Sequence, residues 1–123
     1  MQYANDIIFT GRIDDDEIND VLASAVAFVF VPSFEGFGIP LLEAMQCDIP
    51  IIASNITSVP EVVNDAGLLV NPHNPEEIKN AMYKVATDEN LRLQLIQKGR
   101  IRKNFFSWEK TANLLWESIK KSL

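Results

Sequence analysis

Two rhythms of apolar residues run along the chain. Ala27-Phe28-Val29-Phe30-Val31 is an uninterrupted apolar run stopped by Pro32, and Ile51-Ile52-Ala53 and Gly67-Leu68-Leu69-Val70 are two more, the last ended by Asn71-Pro72. Runs that do not alternate predict strands buried on both faces, as in a parallel sheet covered by helices. Ile7-Ile8-Phe9, followed by Thr10-Gly11, predicts a further strand and turn at the start. Between these runs the spacing is helical. Asp14-Asp15-Asp16-Glu17 opens a helix at its electropositive end and is followed by Ile18, Val21, Leu22 and Ala25 on one face. Pro40 to Cys47 predicts a short helix stopped by Asp48 and Pro50, and Pro60 to Asn64 a helical turn. Three longer helices follow. One starts near Pro75 with Ile78, Ala81, Met82 and Val85 inward, and one runs from about Asn90 to Phe105 with Leu91, Leu95 and Ile96 apolar. The last is capped by Ser107 and carries Trp108, Ala112, Leu115 and Ile119 on one side. Strands alternating with helices predict a small, layered α/β domain with a parallel sheet and crossover connections.

Composition narrows the field without naming a chemistry. With 123 residues, 47 % hydrophobic and 23 % charged, the chain reads as one ordinary globular domain and not as a disordered or fibrous one. The net charge of −6 argues against general nucleic-acid binding, which draws its affinity from Lys and Arg on phosphates. The longest apolar run, Val21 to Pro32, contains Ser24 and is far short of the ~20 residues a membrane helix needs. The start, Met1-Gln2-Tyr3-Ala4, lacks the basic and apolar regions of a signal peptide. The single cysteine, Cys47, excludes an internal disulfide, and a reducing cytoplasmic setting is expected.

In a parallel sheet, ligands bind beyond the carboxyl ends of the strands. The loop after the second predicted strand, Ser33-Phe34-Glu35-Gly36-Phe37-Gly38-Ile39-Pro40-Leu41-Leu42-Glu43-Ala44, is the one rich in chemistry. Gly36 and Gly38 let the backbone approach a ligand, and Pro40 suits the first turn of the helix that follows. Unpaired N–H groups at that helix start suit a phosphate. Glu35 in the loop and Glu43 one turn inside the helix bracket the place, where a carboxylate can accept hydrogen bonds from a sugar diol. Read one at a time, the glycines also fit a plain strand-to-helix turn, and Glu43 an ordinary exposed helix position.

The whole string is more specific than its parts. Glu35 and Glu43 are separated by seven residues, and the segment closely resembles the E-x7-E segment of retaining GT-B glycosyltransferases of family 4, the "group 1" family. Cys47-Asp48-Ile49-Pro50-Ile51-Ile52-Ala53-Ser54 is similar to the family's G-x-PVI-A-S strand, with Asp48 where glycine is common. Val59-Pro60-Glu61-Val62-Val63, Asp65 to Pro72, Phe106-Ser107-Trp108-Glu109 and Ile8-Phe9-Thr10-Gly11 also fit. The resemblance implies a Rossmann-like three-layer sandwich with a short parallel sheet, the C-terminal half of a GT-B fold. Residues 1–123 would be part of a nucleotide-sugar-binding domain.

The resemblance implies the following roles. Glu43 would bind ribose hydroxyls. Glu35, the catalytic candidate, would contact the transferred sugar. Gly36, Phe37 and Gly38 would meet the sugar or diphosphate through backbone amides, with Ile39 and Leu42 completing the donor site. Transfer would retain the anomeric configuration without a metal ion or other cofactor. The acceptor domain that faces this half in the family is missing from the chain, so the polypeptide alone is expected to transfer little or no sugar. The bases that neutralise the diphosphate in the family have no evident counterpart; Arg12 is the one base near a ligand-facing loop. The alternative to a transferase is a non-catalytic nucleotide-binding or scaffolding α/β module.

Other features carry less. His73 has no partner for zinc, and no G-x-S-x-G supports serine chemistry. Asp14 to Glu17 fits a solvated helix start better than a divalent-cation site. Asn55-Ile56-Thr57 is a formal glycosylation sequon without meaning in the cytoplasm. Lys98, Arg100, Arg102 and Lys103, with Phe105, Phe106 and Trp108, are a candidate for peripheral membrane contact, against the simpler reading of a helix end with core aromatics. The exposed edges of a short sheet are a candidate for self-association.

Overall fold

A computed structural model describes residues 3–123. Three strands form one parallel sheet in the order β1-β2-β3: β1 (Phe28–Phe30), β2 (Ile51–Ser54) and β3 (Gly67–Val70). Phe28 pairs with Ile51, and Ile51 with Gly67, which sets the register of the whole sheet. The helices are α1 (Asp15–Ala23), α2 (Ile39–Gln46), α3 (Val59–Val63), α4 (Pro75–Thr87), α5 (Glu89–Arg102) and α6 (Trp108–Ser122), with short 3-10 turns at Ala4–Asp6 and Lys103–Phe105.

Side chains alternate across the sheet and divide the core in two. Ile51 and Ala53 pack with Leu22 of α1, with Leu41, Ala44 and Met45 of α2, and with Val59, Val62 and Val63 of α3. Ile52 and Val70 pack on the other face with Ala81 and Val85 of α4 and Leu95 of α5. The result is helix layer, sheet, helix layer, as the uninterrupted apolar runs predicted. Helix α5 joins the layers: Leu95 lies in the second cluster, while a Cβ on Gly99 would stand 3.5 Å from Met45 Cγ of α2.

Local chemistry sets the helix ends. The Asn74 side chain accepts from the N–H groups of Glu76 and Glu77 and starts α4; Asp88 does the same for α5 through Leu91 N–H, and Ser107 for α6 through Lys110 N–H. Helix α2 ends in a Schellman motif: Ile49 N–H donates to Ala44 O, and Asp48 N–H to Met45 O. That motif needs a left-handed residue, and Asp48 occupies it at φ +55°. This is the physical reason glycine suits the position. The bidentate pair from Arg100 Nε and Nη2 to Asp48, at 3.0 and 2.8 Å, ties the turn to α5.

The hydrogen bond from Arg100 holds the Asp48 carboxyl below its ordinary range, because it favours the charged form, and the nearby charge of Arg100 adds to this. A lowered folded-state value means that the pair stabilises the fold above the ordinary carboxylate range, and that this contribution is lost as pH falls through the lowered value. The thermal midpoints of wild type and Arg100→Ala should therefore differ at neutral pH and converge in acid. A difference independent of pH would assign Arg100 to packing instead.

Four expectations need correction. Residues 7–14 form no strand, and Ile8 and Phe9 are 82 % and 93 % exposed. A three-residue run gains a ladder only from a neighbour, and β1 pairs with β2 alone among the described residues. For the same reason Val29 is exposed: the strand forms, but one of its faces is not fully covered. Val21 of α1, Ala25 just beyond its end, and Met82 of α4 face solvent. Helix α6 forms with the predicted cap and periodicity, yet none of its residues is buried. No helix among the described residues is long and apolar enough to cross a membrane.

Candidate functional site

The loop between β1 and α2 leaves the carboxyl end of the sheet at Val31-Pro32 and enters the helix through Gly38. Gly38 has φ +94° and is the N-cap of α2; its carbonyl accepts from Leu41 N–H at 3.0 Å. A Cβ there would stand 2.7 Å from Leu41 Cδ1 and 3.6 Å from Glu35 Cγ. Only glycine takes that backbone so close to a fully buried leucine. Around Gly36 the space is open, with nothing within 4 Å of an added Cβ. The helix begins at Ile39, one residue earlier than the sequence suggested, with Pro40 in its first turn.

Glu35 is half-buried, and its carboxylate turns back on its own loop. Oε1 accepts from Gly36 N–H at 3.2 Å and from Phe37 N–H at 3.4 Å. These are two of the amides the sequence assigned to a ligand, and a side-chain anion already sits on them. Glu43 is the fifth residue of α2, half-buried, and about 6 Å along the axis from Ile39 by helix rise. Leu42 packs partly into the first core cluster, while Ile39 is exposed.

Phe37 closes the far side of the loop. Its ring meets Phe106 edge-on, with centroids 5.6 Å apart. The Arg102 guanidinium lies over Phe106 at 5.0 Å and donates from Nε to Val62 O at 2.9 Å and from Nη2 to Glu61 O. Arg102 therefore serves the carbonyls at the end of α3. Lys98 pairs with Asp65, and Arg100 with Asp48. Three of the four bases in the basic-aromatic stretch thus have partners within the chain, but of its aromatics only Phe106 packs against the core, while Phe105 and Trp108 are exposed. Arg12 is exposed in the segment before α1.

Two hollows lie elsewhere. One of about 350 Å³, lined by Val26, Asp48, Pro50 and Arg92 among others, opens at the amino ends of β1 and β2; one of about 310 Å³ lies beside β3 and α4. Neither is lined by Glu35 or Glu43; at the loop and the mouth of α2, Gly36, Phe37 and Ile39 are exposed. Among the described residues no group of three or more His, Cys, Asp and Glu side chains is arranged to hold a metal ion. Ser54, at the end of β2, is fully buried, and its Oγ has no partner among the described residues.

Sequence reasoning passed over Thr57 and Ser58, which bond to the backbone of Glu35. The available signal was a Ser/Thr pair in the loop that leaves the central strand, next to the glycine loop. Phe106 was visible as part of the Phe106-Ser107-Trp108-Glu109 segment, but its contact with Phe37 was not, since that depends on the path of α5.

Residues 1–102 match the family described as "Glycosyl transferases group 1". The chain is 38 % identical over 103 residues to the O-antigen chain mannosyltransferase B of Escherichia coli, covering 84 % of this chain and 27 % of that protein. It is 38 % identical over 117 residues to the serotype-specific mannosyltransferase WbdA of Escherichia coli, covering 95 % of this chain and 14 % of the relative. The chain therefore spans about a quarter or less of the length of these curated relatives. Among solved structures, sucrose-phosphate synthase from Thermosynechococcus elongatus superposes with a TM-score of 0.82 and 26 % identity, over 99 % of this chain and 32 % of that one.

Proposed function

The chain belongs to the group 1 glycosyl transferases and has their GT-B type α/β fold, and from that premise we propose that it holds the nucleotide-sugar donor in a sugar transfer. One observation carries the reading: at the carboxyl end of β1, the open backbone at Gly36 and the left-handed turn at Gly38 lead into the N-terminus of α2, with Glu35 before it and Glu43 inside it. Unpaired N–H groups and the positive end of the helix suit a diphosphate. Glu43 accepts hydrogen bonds from the ribose hydroxyls, and Glu35 from hydroxyls of the transferred sugar. Residues 1–123 then act as part of a donor domain, and a facing domain supplies the acceptor.

In the reaction, the bond from the anomeric carbon to the diphosphate oxygen breaks. A bond from the same carbon to the acceptor hydroxyl oxygen forms with retained configuration, and the hydroxyl proton passes to the departing diphosphate oxygen. This chain's own part is positioning, together with stabilisation of the charge that grows on the leaving diphosphate. The mannosyltransferase names of the relatives support a hexose donor and a role in building polysaccharide.

Titration with UDP, GDP and ADP tests the reading. One of them should bind, and Glu43→Ala should weaken it by about 10- to 150-fold, the worth of a hydrogen bond to a charged group. Equal affinity in wild type and variant removes the donor assignment.

A further inference from the structure

Glu35 is held by a loop that comes from a different strand. Its N–H donates to Thr57 Oγ1 at 3.3 Å, and its carbonyl accepts from Ser58 Oγ at 2.8 Å. Both residues lie between β2 and α3, more than twenty positions away in sequence. Thr57 makes its contact from φ +56°. A β-branched residue rarely adopts that side of the map, and it persists there only where its surroundings over-determine it.

We infer that Thr57 and Ser58 are positioning residues for Glu35. Together they hold its backbone on both sides of the Cα, at the N–H of one peptide unit and the C=O of the next. Its side chain then moves by rotation about its own bonds alone, between the amides of Gly36 and Phe37 and the hydroxyls of a bound sugar. When the carboxylate swings out to a sugar, the same rotation frees two N–H groups for diphosphate oxygens. The loop that carries Glu35 thus need not rearrange on binding. The inference rests on the donor reading above, and it adds two residues outside the glycine loop to that site.

Thr57→Gly separates positioning from plain structural support. It relieves the left-handed backbone, so the thermal midpoint should hold or rise. The Glu35, Gly36 and Phe37 amides should nonetheless exchange with solvent faster in NMR, by about threefold or more, as expected for the loss of one modest hydrogen bond. Affinity for whichever of UDP, GDP and ADP binds wild type should fall. Thr57→Ser keeps the hydroxyl and should restore both readouts, and Ser58→Ala should reproduce the loss from the carbonyl side. The inference is overturned if amide exchange in Thr57→Gly and Ser58→Ala matches wild type, or if affinity is lost only in step with the thermal midpoint. Faster exchange in a protein whose wild type binds none of the three nucleotides supports the hold on Glu35 and overturns the donor reading alone.

Discussion

Leu41→Ala is expected to lower the free energy of unfolding by about 2–5 kcal/mol, the range for truncating a fully buried leucine. Leu41 has no exposed surface and sits in the larger core cluster with Ala44, Met45 and the valines of α3. It is also the residue whose N–H closes the first turn of α2 on Gly38 and whose Cδ1 fills the space beside it. The truncation should therefore cost stability and loosen the loop at the same time. Chemical denaturation measures the first effect, and nucleotide titration the second. A loss below about 1 kcal/mol would mean that the core closes over the gap, as sites that collapse easily do.

Gly38→Ala attacks the same contact from the other side. The backbone there is left-handed at φ +94°, which costs a residue with a Cβ about 1–3 kcal/mol. The new methyl also stands 2.7 Å from Leu41 Cδ1. Overpacking a closed core costs about 1–3 kcal/mol more, because buried leucines leave their rotamers only with strain. The expected protein folds with a markedly lower denaturation midpoint and binds nucleotide worse than its stability alone explains. Gly36→Ala is the control, since its Cβ would meet nothing within 4 Å. If both substitutions act alike, the special role of Gly38 is wrong.

The layered α/β architecture was readable because strands and helices leave different rhythms in the chain. Gly67-Leu68-Leu69-Val70 became a strand over the same four residues, and Ser107 capped the last helix as its position promised. Where reading failed, the missing information was who the neighbours are. Ile7-Ile8-Phe9 has the composition of a strand, but pairing depends on a partner that local pattern does not specify. Met82 and Val21 have helical spacing yet fall beyond the width of the surface that covers them. At the site, the spacing of Glu35 and Glu43 was visible, whereas the turn of the Glu35 carboxylate onto Gly36 and Phe37 was not. That turn is a choice of rotamer, made on a backbone that Thr57 and Ser58 hold from some twenty residues on. Asp48 is a mixed case. The sequence showed an acid where glycine is common, and the fold supplied both the left-handed turn that explains the glycine and the Arg100 pair that holds the acid there.

Helix α6 has one consequence for the bench. Both tryptophans of the protein, Trp108 and Trp116, ride on it, and both face water. Indole emission therefore reports on an appendage, while the sheet and its covering helices melt without that signal. A fifteen-residue helix with no buried residue is marginal in water, so its fluorescence trace should change gradually and by little. Circular dichroism will follow the cooperative body of the domain.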